Sequence, residues 1–75
     1  MDEATARRID EVLETVYNAL KEKGYNPEGQ ILGYLLTDDP TYITPYNHAR
    51  ELLTELDRDD VGIRILTVYF DEKKR

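Results

Sequence analysis

The chain has 75 residues and a mass of 8.8 kDa, which predicts a single small domain over residues 1–75. Its 16 acidic and 10 basic side chains give a formal net charge of −6, and there is no cysteine, which excludes disulfide scaffolds, cysteine-based zinc sites and thiol catalysis. The longest apolar stretch, residues 31–36, is far shorter than the ~20 residues of a membrane span, and no apolar signal region follows the acidic N-terminus. We therefore expect a cytoplasmic protein without membrane insertion.

The small size of the chain predicts self-association. Below roughly 70–80 residues, one hydrophobic core seldom supplies more than ~3–5 kcal/mol of stability, and natural chains of this length usually need a further source. Disulfides are excluded, and the sequence shows no metal-binding motif. Oligomerisation is then the remaining source, so we predict a homodimer.

The first predicted element is a helix that ends at Gly24, the residue that supplies a left-handed conformation. Tyr25 then follows in the position from which a Schellman motif packs back on Leu20. The helix has one apolar face, because its apolar residues follow the i, i+3, i+4, i+7, i+11 spacing: Ile9, Val12, Leu13, Val16 and Leu20.

A second helix is predicted from Asn26, a capping residue, and Pro27, which suits the first helical position, to about Thr37. Gly29 and Gly33 lie four residues apart, a spacing that permits close approach of another backbone, either in a dimer or inside the fold. The apolar side of this helix is predicted to contain Ile31, Leu32, Leu35 and Leu36.

A turn at residues 38–40 separates this helix from a segment at 41–43 that is predicted to be extended, as a short strand. Thr44 and Pro45 repeat the pattern of a cap followed by a proline, so we expect a third helix to start there and to end near Asp57. Its buried stripe is predicted to contain Ala49, Leu52, Leu53 and Leu56.

Residues 61–70 are ambiguous between helix and strand. Their β-branched and aromatic composition favours a buried strand. The spacing of polar residues favours a helix, which Asp59 or Asp60 could cap, with one polar stripe at Arg64, Thr67, Asp71 and Lys74. We favour the helix and keep the strand as the alternative. The predicted fold is therefore a mainly all-α compact bundle of about four short helices.

Few side chains are arranged for catalysis or metal binding. His48 is the only histidine, and a general base or a metal site needs partners that the sequence does not place beside it. The acidic pairs at 38–39 and 59–60 lack the spacing of a Ca²⁺ loop and are typical of turns and helix caps. We predict no catalytic residue, cofactor or metal, and an interaction module rather than an enzyme.

Six tyrosines are present, and tyrosine rings can stack on nucleic-acid bases if a cationic groove holds the phosphates. Such a groove is hard to build at a net charge of −6, with no lysine or arginine in residues 24–49. We favour core and interface packing, with Tyr42 and Tyr46 the most exposed to a partner. A small nucleic-acid-binding regulator stays as the alternative function, and it predicts an affinity that falls steeply with salt.

Four runs carry a more specific pattern: residues 11–17 (EVLETVY), 22–27 (EKGYNP), 30–36 (QILGYLL) and 39–43 (DPTYI). Together with Ala49-Arg50 and residues 56–59 (LDRD), they make the chain resemble the IreB/ReoM family of Gram-positive bacteria over residues 9–60, without a gap.

This resemblance implies a small helical homodimer that regulates and does not catalyse. In the family, a membrane Ser/Thr kinase with PASTA repeats phosphorylates a threonine in a flexible N-terminal tail. The protein promotes Clp-protease turnover of the UDP-N-acetylglucosamine carboxyvinyltransferase, the first committed enzyme of peptidoglycan synthesis, and phosphorylation relieves that effect. The resemblance therefore implies cell-wall regulation and a link to cephalosporin resistance.

The resemblance also indicates which residues would bind a partner. Arg50 and Arg58 match basic positions of the family's third helix, and with Tyr42 they are the predicted partner-binding residues. Their guanidinium groups would make charge-assisted contacts to a partner's carboxylates; the alternative is that they pair on the surface with Glu51, Glu55 or Asp57.

The chain departs from the family pattern at several positions. The family's threonine-bearing tail motif is absent from this sequence, where Thr5 is the nearest threonine and lies at the predicted start of the first helix. Pro45 and Thr54 stand where the family usually has arginine or lysine. We expect these differences to change the phosphorylation switch and to weaken or redirect partner binding.

Overall fold

Four α-helices make up most of residues 1–73, the part of the chain that the computed structural model describes. Two short 3₁₀ turns, Pro40–Tyr42 and Tyr46–His48, connect the second helix to the third. The helices are α1 (Glu3–Glu22), α2 (Pro27–Thr37), α3 (Ala49–Thr54) and α4 (Arg58–Lys73). Residues 1–73 contain no strand, so the predicted all-α fold of about four helices is confirmed.

Helix α1 ends as its sequence predicts, and it begins at a cap that was not predicted from the sequence. The Asp2 carboxylate accepts a hydrogen bond from the Thr5 backbone N–H at 2.8 Å. At the other end, Gly24 is left-handed (φ +85°), and Tyr25 N–H donates to the Leu20 carbonyl at 2.9 Å in the Schellman pattern. The predicted apolar face is buried, with Leu13 half-buried and with Ala19 in addition.

Helix α2 turns only part of its predicted apolar side towards the core, since Ile31 is buried and Leu35 packs against the core. Its N-terminus is capped as expected, since Asn26 Oδ1 accepts from Gly29 N–H at 3.2 Å. Ile31 and Tyr34 are buried, whereas 55% of Leu32 and 73% of Leu36 are exposed. The expectation that both leucines lie on the core face was therefore wrong, because α2 is apolar on more than one face and turns only one towards α1.

Close packing at Gly33 occurs inside the fold, one of the two predicted uses of this glycine. A Cβ atom at Gly33 would lie 2.5 Å from two carbons of the Tyr42 ring, so the ring occupies the space that a side chain would take. The Tyr42 carbonyl also accepts a hydrogen bond from Gln30 Nε2 at 2.9 Å. The segment after α2 is thus held along the side of that helix.

The predicted strand at 41–43 is wrong for most of its length. Residues 40–42 form a 3₁₀ turn because Pro40 fixes the backbone and Asp39 accepts a hydrogen bond from Thr41 N–H at 3.0 Å. Only Ile43 is extended, and its side chain is fully buried in the core.

The third helix begins four residues later than Thr44–Pro45 predicts. Asn47 and His48 both adopt left-handed conformations (φ +53° and +59°), which interrupt the helix before Ala49. Ala49 and Leu53 are buried as predicted, and the other two residues of the stripe, Leu52 and Leu56, are half-buried against the core.

Residues 61–70 are helical, which confirms the favoured alternative and excludes the strand. Helix α4 is capped by Asp57, whose carboxylate accepts from Asp59 N–H at 2.9 Å, and not by Asp59 or Asp60 as predicted. Within its described length, Val61 is the only buried residue. Of the predicted polar stripe, Lys74 lies outside the described residues, and Arg64 faces α1 instead of solvent.

The Arg64–Asp10 ion pair fixes the rotation of α4 against α1. Arg64 Nε and Nη2 donate to the two carboxylate oxygens of Asp10, each at 2.8 Å. This bidentate geometry lowers the pKa of Asp10, chiefly through the hydrogen bond from the guanidinium. Together with Val61, the pair determines which side of α4 faces outward.

Replacing Gly24 tests the end of α1. Gly24→Ala should lower the free energy of unfolding by about 1–2 kcal/mol, since an L-residue in this left-handed position is strained although its Cβ would meet no atom within 4 Å. Urea denaturation followed by circular dichroism measures the change. Gly24→Asn is the matched control and should lose less, because asparagine tolerates this conformation; an equal loss for both variants would contradict the explanation.

The stabilising effect of Asp10 should depend on pH. Its pKa is lower in the folded chain than in the unfolded one, so the stabilisation is present above the unfolded pKa and is lost as the pH falls through the folded pKa. Asp10→Asn should therefore be less stable than the native chain at neutral pH, and the difference should disappear in acid. Urea denaturation at a series of pH values checks this; a difference independent of pH would refute it.

Candidate partner-binding surface

The Arg50 side chain lies between α3 and the segment that precedes it. Its Nε donates to the carbonyl of the buried residue Ile43 at 2.9 Å, and the residue is only partly buried. Tyr42, which the sequence placed with Arg50 in one site, is 36% exposed and covers Gly33 of α2. Arg50 and Tyr42 are thus brought to neighbouring positions on either side of Ile43.

Arg58 is the first residue of α4, and not part of the third helix as the sequence indicated. Its Nη1 donates to the Leu35 carbonyl near the end of α2 at 2.8 Å, and its Nε lies 3.2 Å from an Asp38 carboxylate oxygen. Asp38 is left-handed at the C-cap of α2. Arg58 therefore ties the start of α4 to the end of α2.

Two shallow depressions lie beside the arginines, and Thr54 lines both. The first, of about 380 Å³, is lined by Pro40, Pro45, His48, Arg50, Glu51 and Thr54. The second, of about 250 Å³, is lined by Tyr34, Asp38, Thr54, Leu56, Asp57, Arg58 and Asp59. We call this part of the surface the arginine edge. The arginine edge contains both acidic and basic side chains. Among residues 1–73, neither Arg50 nor Arg58 makes the ion pairs with Glu51, Glu55 or Asp57 that were the alternative to partner binding.

The remaining polar side chains singled out in the sequence stabilise turns and helix ends. His48 is exposed, and its Nδ1 lies 3.3 Å from Glu51. The hydroxyl of Tyr46, which is half-buried and not as open as predicted, donates to Glu22 at 2.9 Å, which raises the pKa of Tyr46. The described part of the chain contains no group of three or more side chains placed to hold a metal ion.

A larger apolar groove, which the sequence reasoning missed, lies where α1, α2 and α4 meet. It has a volume of about 540 Å³, and its few polar lining residues include Tyr17 and Glu28. Its apolar lining residues are Leu13, Ile31, Leu32, Leu35, Leu36, Gly62, Ile65 and Leu66. The sequence contained a signal for this groove. Helices α2 and α4 have more apolar residues than a single face of each helix can bury in so short a chain.

The outward side of α4 continues this apolar surface. The apolar residues on the outward side of α4 are spaced i, i+1, i+4, i+7, i+8. They therefore lie together on one side of the helix, opposite the side that holds Val61 and Arg64. Ile63, Leu66 and Phe70 are each more than half exposed. We call this the α4 stripe: Gly62, Ile63, Leu66, Tyr69 and Phe70.

The ends of the α4 stripe differ in chemistry. At its C-terminal end, the rings of Tyr69 and Phe70 meet edge to face with centroids 5.1 Å apart, and Lys73 Nζ lies 5.6 Å from the centroid of Tyr69. At its N-terminal end, Asp59 is exposed in the first turn of α4. An acidic end and a basic end therefore flank an exposed apolar middle.

No helix in residues 1–73 is both long enough and apolar enough to cross a membrane. The arginine edge and the apolar surface of α2 and α4 are the two surfaces of the described chain that we consider for contact with another protein.

A comparison with protein families supplies the context for these surfaces. The model of the family described as "IreB regulatory phosphoprotein" matches residues 1–71, which is nearly the whole chain. The match includes α1, α2, α3 and most of α4, and so both surfaces. The resemblance seen over residues 9–60 is confirmed, and the match extends beyond that range at both its N-terminal and its C-terminal end. The chain belongs to the IreB family of regulatory phosphoproteins.

Proposed function

We propose that the protein is a dimeric regulatory adaptor that acts downstream of a PASTA-type Ser/Thr kinase. In this role it promotes Clp-dependent turnover of the UDP-N-acetylglucosamine carboxyvinyltransferase and so controls the supply of peptidoglycan precursors in the cytoplasm. The observation that carries the proposal is the family match over residues 1–71, since that family is described by regulation and phosphorylation. Its two exposed surfaces suit an adaptor, which must contact more than one protein.

The arginine edge is the part of the surface that we assign to the protein partner. Arg50 and Arg58 each use one or two donors on carbonyl or carboxylate groups of their own chain, whereas a guanidinium carries five. Both side chains are fixed by those intrachain bonds, so little conformational entropy is lost when a partner carboxylate binds. Tyr42 supplies an adjoining aromatic surface beside them.

The apolar surface supports the homodimer. Large apolar side chains that are about half exposed or more occur on both α2 and α4, among them Leu32, Leu36, Leu66 and Phe70. Contiguous exposed apolar side chains of this kind mark protein–protein contact sites on soluble proteins. Self-association is the contact that would cover it in every molecule of the protein.

The native chain should have twice the 8.8 kDa mass of one copy in solution. Sedimentation equilibrium over a series of concentrations measures this, because the apparent mass of a reversible dimer falls on dilution. A mass of one copy at every concentration would refute the homodimer.

The adaptor role is tested with purified proteins. The native chain should bind the carboxyvinyltransferase and shorten its half-life in the presence of the Clp protease and ATP. Arg50→Ala/Arg58→Ala should weaken that binding by roughly tenfold or more, as expected for loss of charge-assisted contacts. Arg7→Ala/Arg8→Ala is the matched control, since both arginines lie exposed on α1, and it should bind as the native chain does.

Two further measurements complete the test. Because Arg50 and Arg58 also bond to their own chain, urea denaturation of each variant must show that it is folded under the assay conditions. Preincubation with the kinase and ATP should slow turnover of the enzyme, and Thr5→Ala determines whether Thr5, exposed in the first turn of α1, accepts the phosphate. An unchanged half-life with folded native protein would refute the proposed function.

A further inference from the structure

We propose that two copies of the chain associate through their α4 stripes, with the two helices antiparallel and Leu66 of each at the two-fold axis. The inference rests on the homodimer of the proposed function and specifies its interface. In a two-fold interface the same patch of both copies must be complementary to itself. The α4 stripe meets that requirement in three ways.

The first is that Gly62 of one copy leaves a space that the Phe70 side chain of the other copy can fill. Gly62 costs a helix ~1 kcal/mol relative to alanine, yet nothing in residues 1–73 of its own chain requires a glycine there, since an added Cβ would meet none of their atoms within 4 Å. With Leu66 on the axis of an antiparallel pair, position 62 of one copy lies opposite position 70 of the other. Phe70, 57% exposed in a single copy, then fills the open space above Gly62.

The second is that opposite charges face each other at the two ends of the helix pair. The same register places Asp59, in the first turn of α4, opposite Lys73 in the last turn of the other copy. Two such contacts form, one at each end of the helix pair, and opposite charges attract there. A parallel pair would instead place Asp59 opposite Asp59 and Gly62 opposite Gly62, which brings like charges together and leaves the space above both glycines empty.

The third is continuity with α2. Leu32 and Leu36 are the most exposed apolar residues of α2, and with Gly62 and Leu66 they line the apolar groove. A second α4 helix on the stripe lies beside this groove and covers part of it. The contact therefore joins the outward side of α4 to the adjoining apolar surface of α2.

Phe70→Ala tests whether Phe70 of one copy fills the space above Gly62 of the other. It should raise the dimer dissociation constant, measured by sedimentation velocity over a concentration series, by roughly tenfold or more, as expected for an aromatic interface anchor. Tyr25→Ala is the matched control, because Tyr25 is 52% exposed but follows the end of α1 and belongs neither to the α4 stripe nor to the lining of the apolar groove. It should leave the dissociation constant unchanged.

Charge reversal tests the orientation. Asp59→Lys and Lys73→Asp should each weaken the dimer, and the double variant should recover most of the loss. Because these residues lie 14 positions apart on one helix, about 21 Å, the recovery can come only from a contact between copies. Failure of the double variant to recover would overturn the antiparallel register.

Cysteine cross-linking gives an independent measurement, since the chain has no cysteine of its own. Under mild oxidation Leu66→Cys should form a disulfide between copies, because facing Cα atoms at the axis come within the roughly 4.4–6.8 Å that the bond needs. Thr67→Cys, on the polar side of α4, should not. A dimer that survives Phe70→Ala and is not cross-linked at position 66 would overturn this interface but leave the homodimer standing; a chain that is monomeric throughout would overturn both.

Discussion

The structure depends on the apolar face of α1, since every other helix packs against it. A helix of 20 residues is about 30 Å long, nearly the 33 Å length of the whole molecule. Its buried residues, Ile9 to Leu20, belong to one cluster with side chains from α2, α3 and α4. Both ends of α1 are fixed by local features, the Asp2 cap and the left-handed Gly24, so residues close in sequence determine where the central helix begins and ends.

The elements best predicted from the sequence are those with local determinants. Helix α1 carries its periodicity and its terminating glycine within 25 residues, and both act as expected. The start of α3 could not be predicted in the same way. Asn47 and His48 are exposed in left-handed conformations, whereas the extended residue Ile43 is buried in the core, and residue preferences near Thr44 do not report that burial. Tertiary packing overrides local propensity there.

The same distinction between local determinants and tertiary packing explains which features of the surface could be predicted from the sequence. The basic residues Arg50 and Arg58 stand out in the sequence, but their hydrogen bonds to the carbonyls of Ile43 and Leu35 depend on chain segments that meet only in the fold. The exposure of Leu32 and Leu36 could not be predicted either. Helical periodicity identifies apolar residues, but it does not say which of two apolar faces a short chain has partners to cover.

The two candidate surfaces meet at the first turn of α4. Arg58 belongs to the arginine edge, and the next residue, Asp59, flanks the α4 stripe. Because the Asp57 cap fixes this turn and the Asp10–Arg64 ion pair fixes the rotation of the helix, Arg58 faces α2 while the stripe faces outward. In the proposed function α4 offers Arg58 to one protein and its apolar stripe to another, and Asp59, which lines the second depression of the arginine edge and also flanks the stripe, lies where the two surfaces join. In the proposed function this arrangement suits an adaptor of 75 residues, since Arg50 and Arg58 lie outside the α4 stripe to which we assign the second copy.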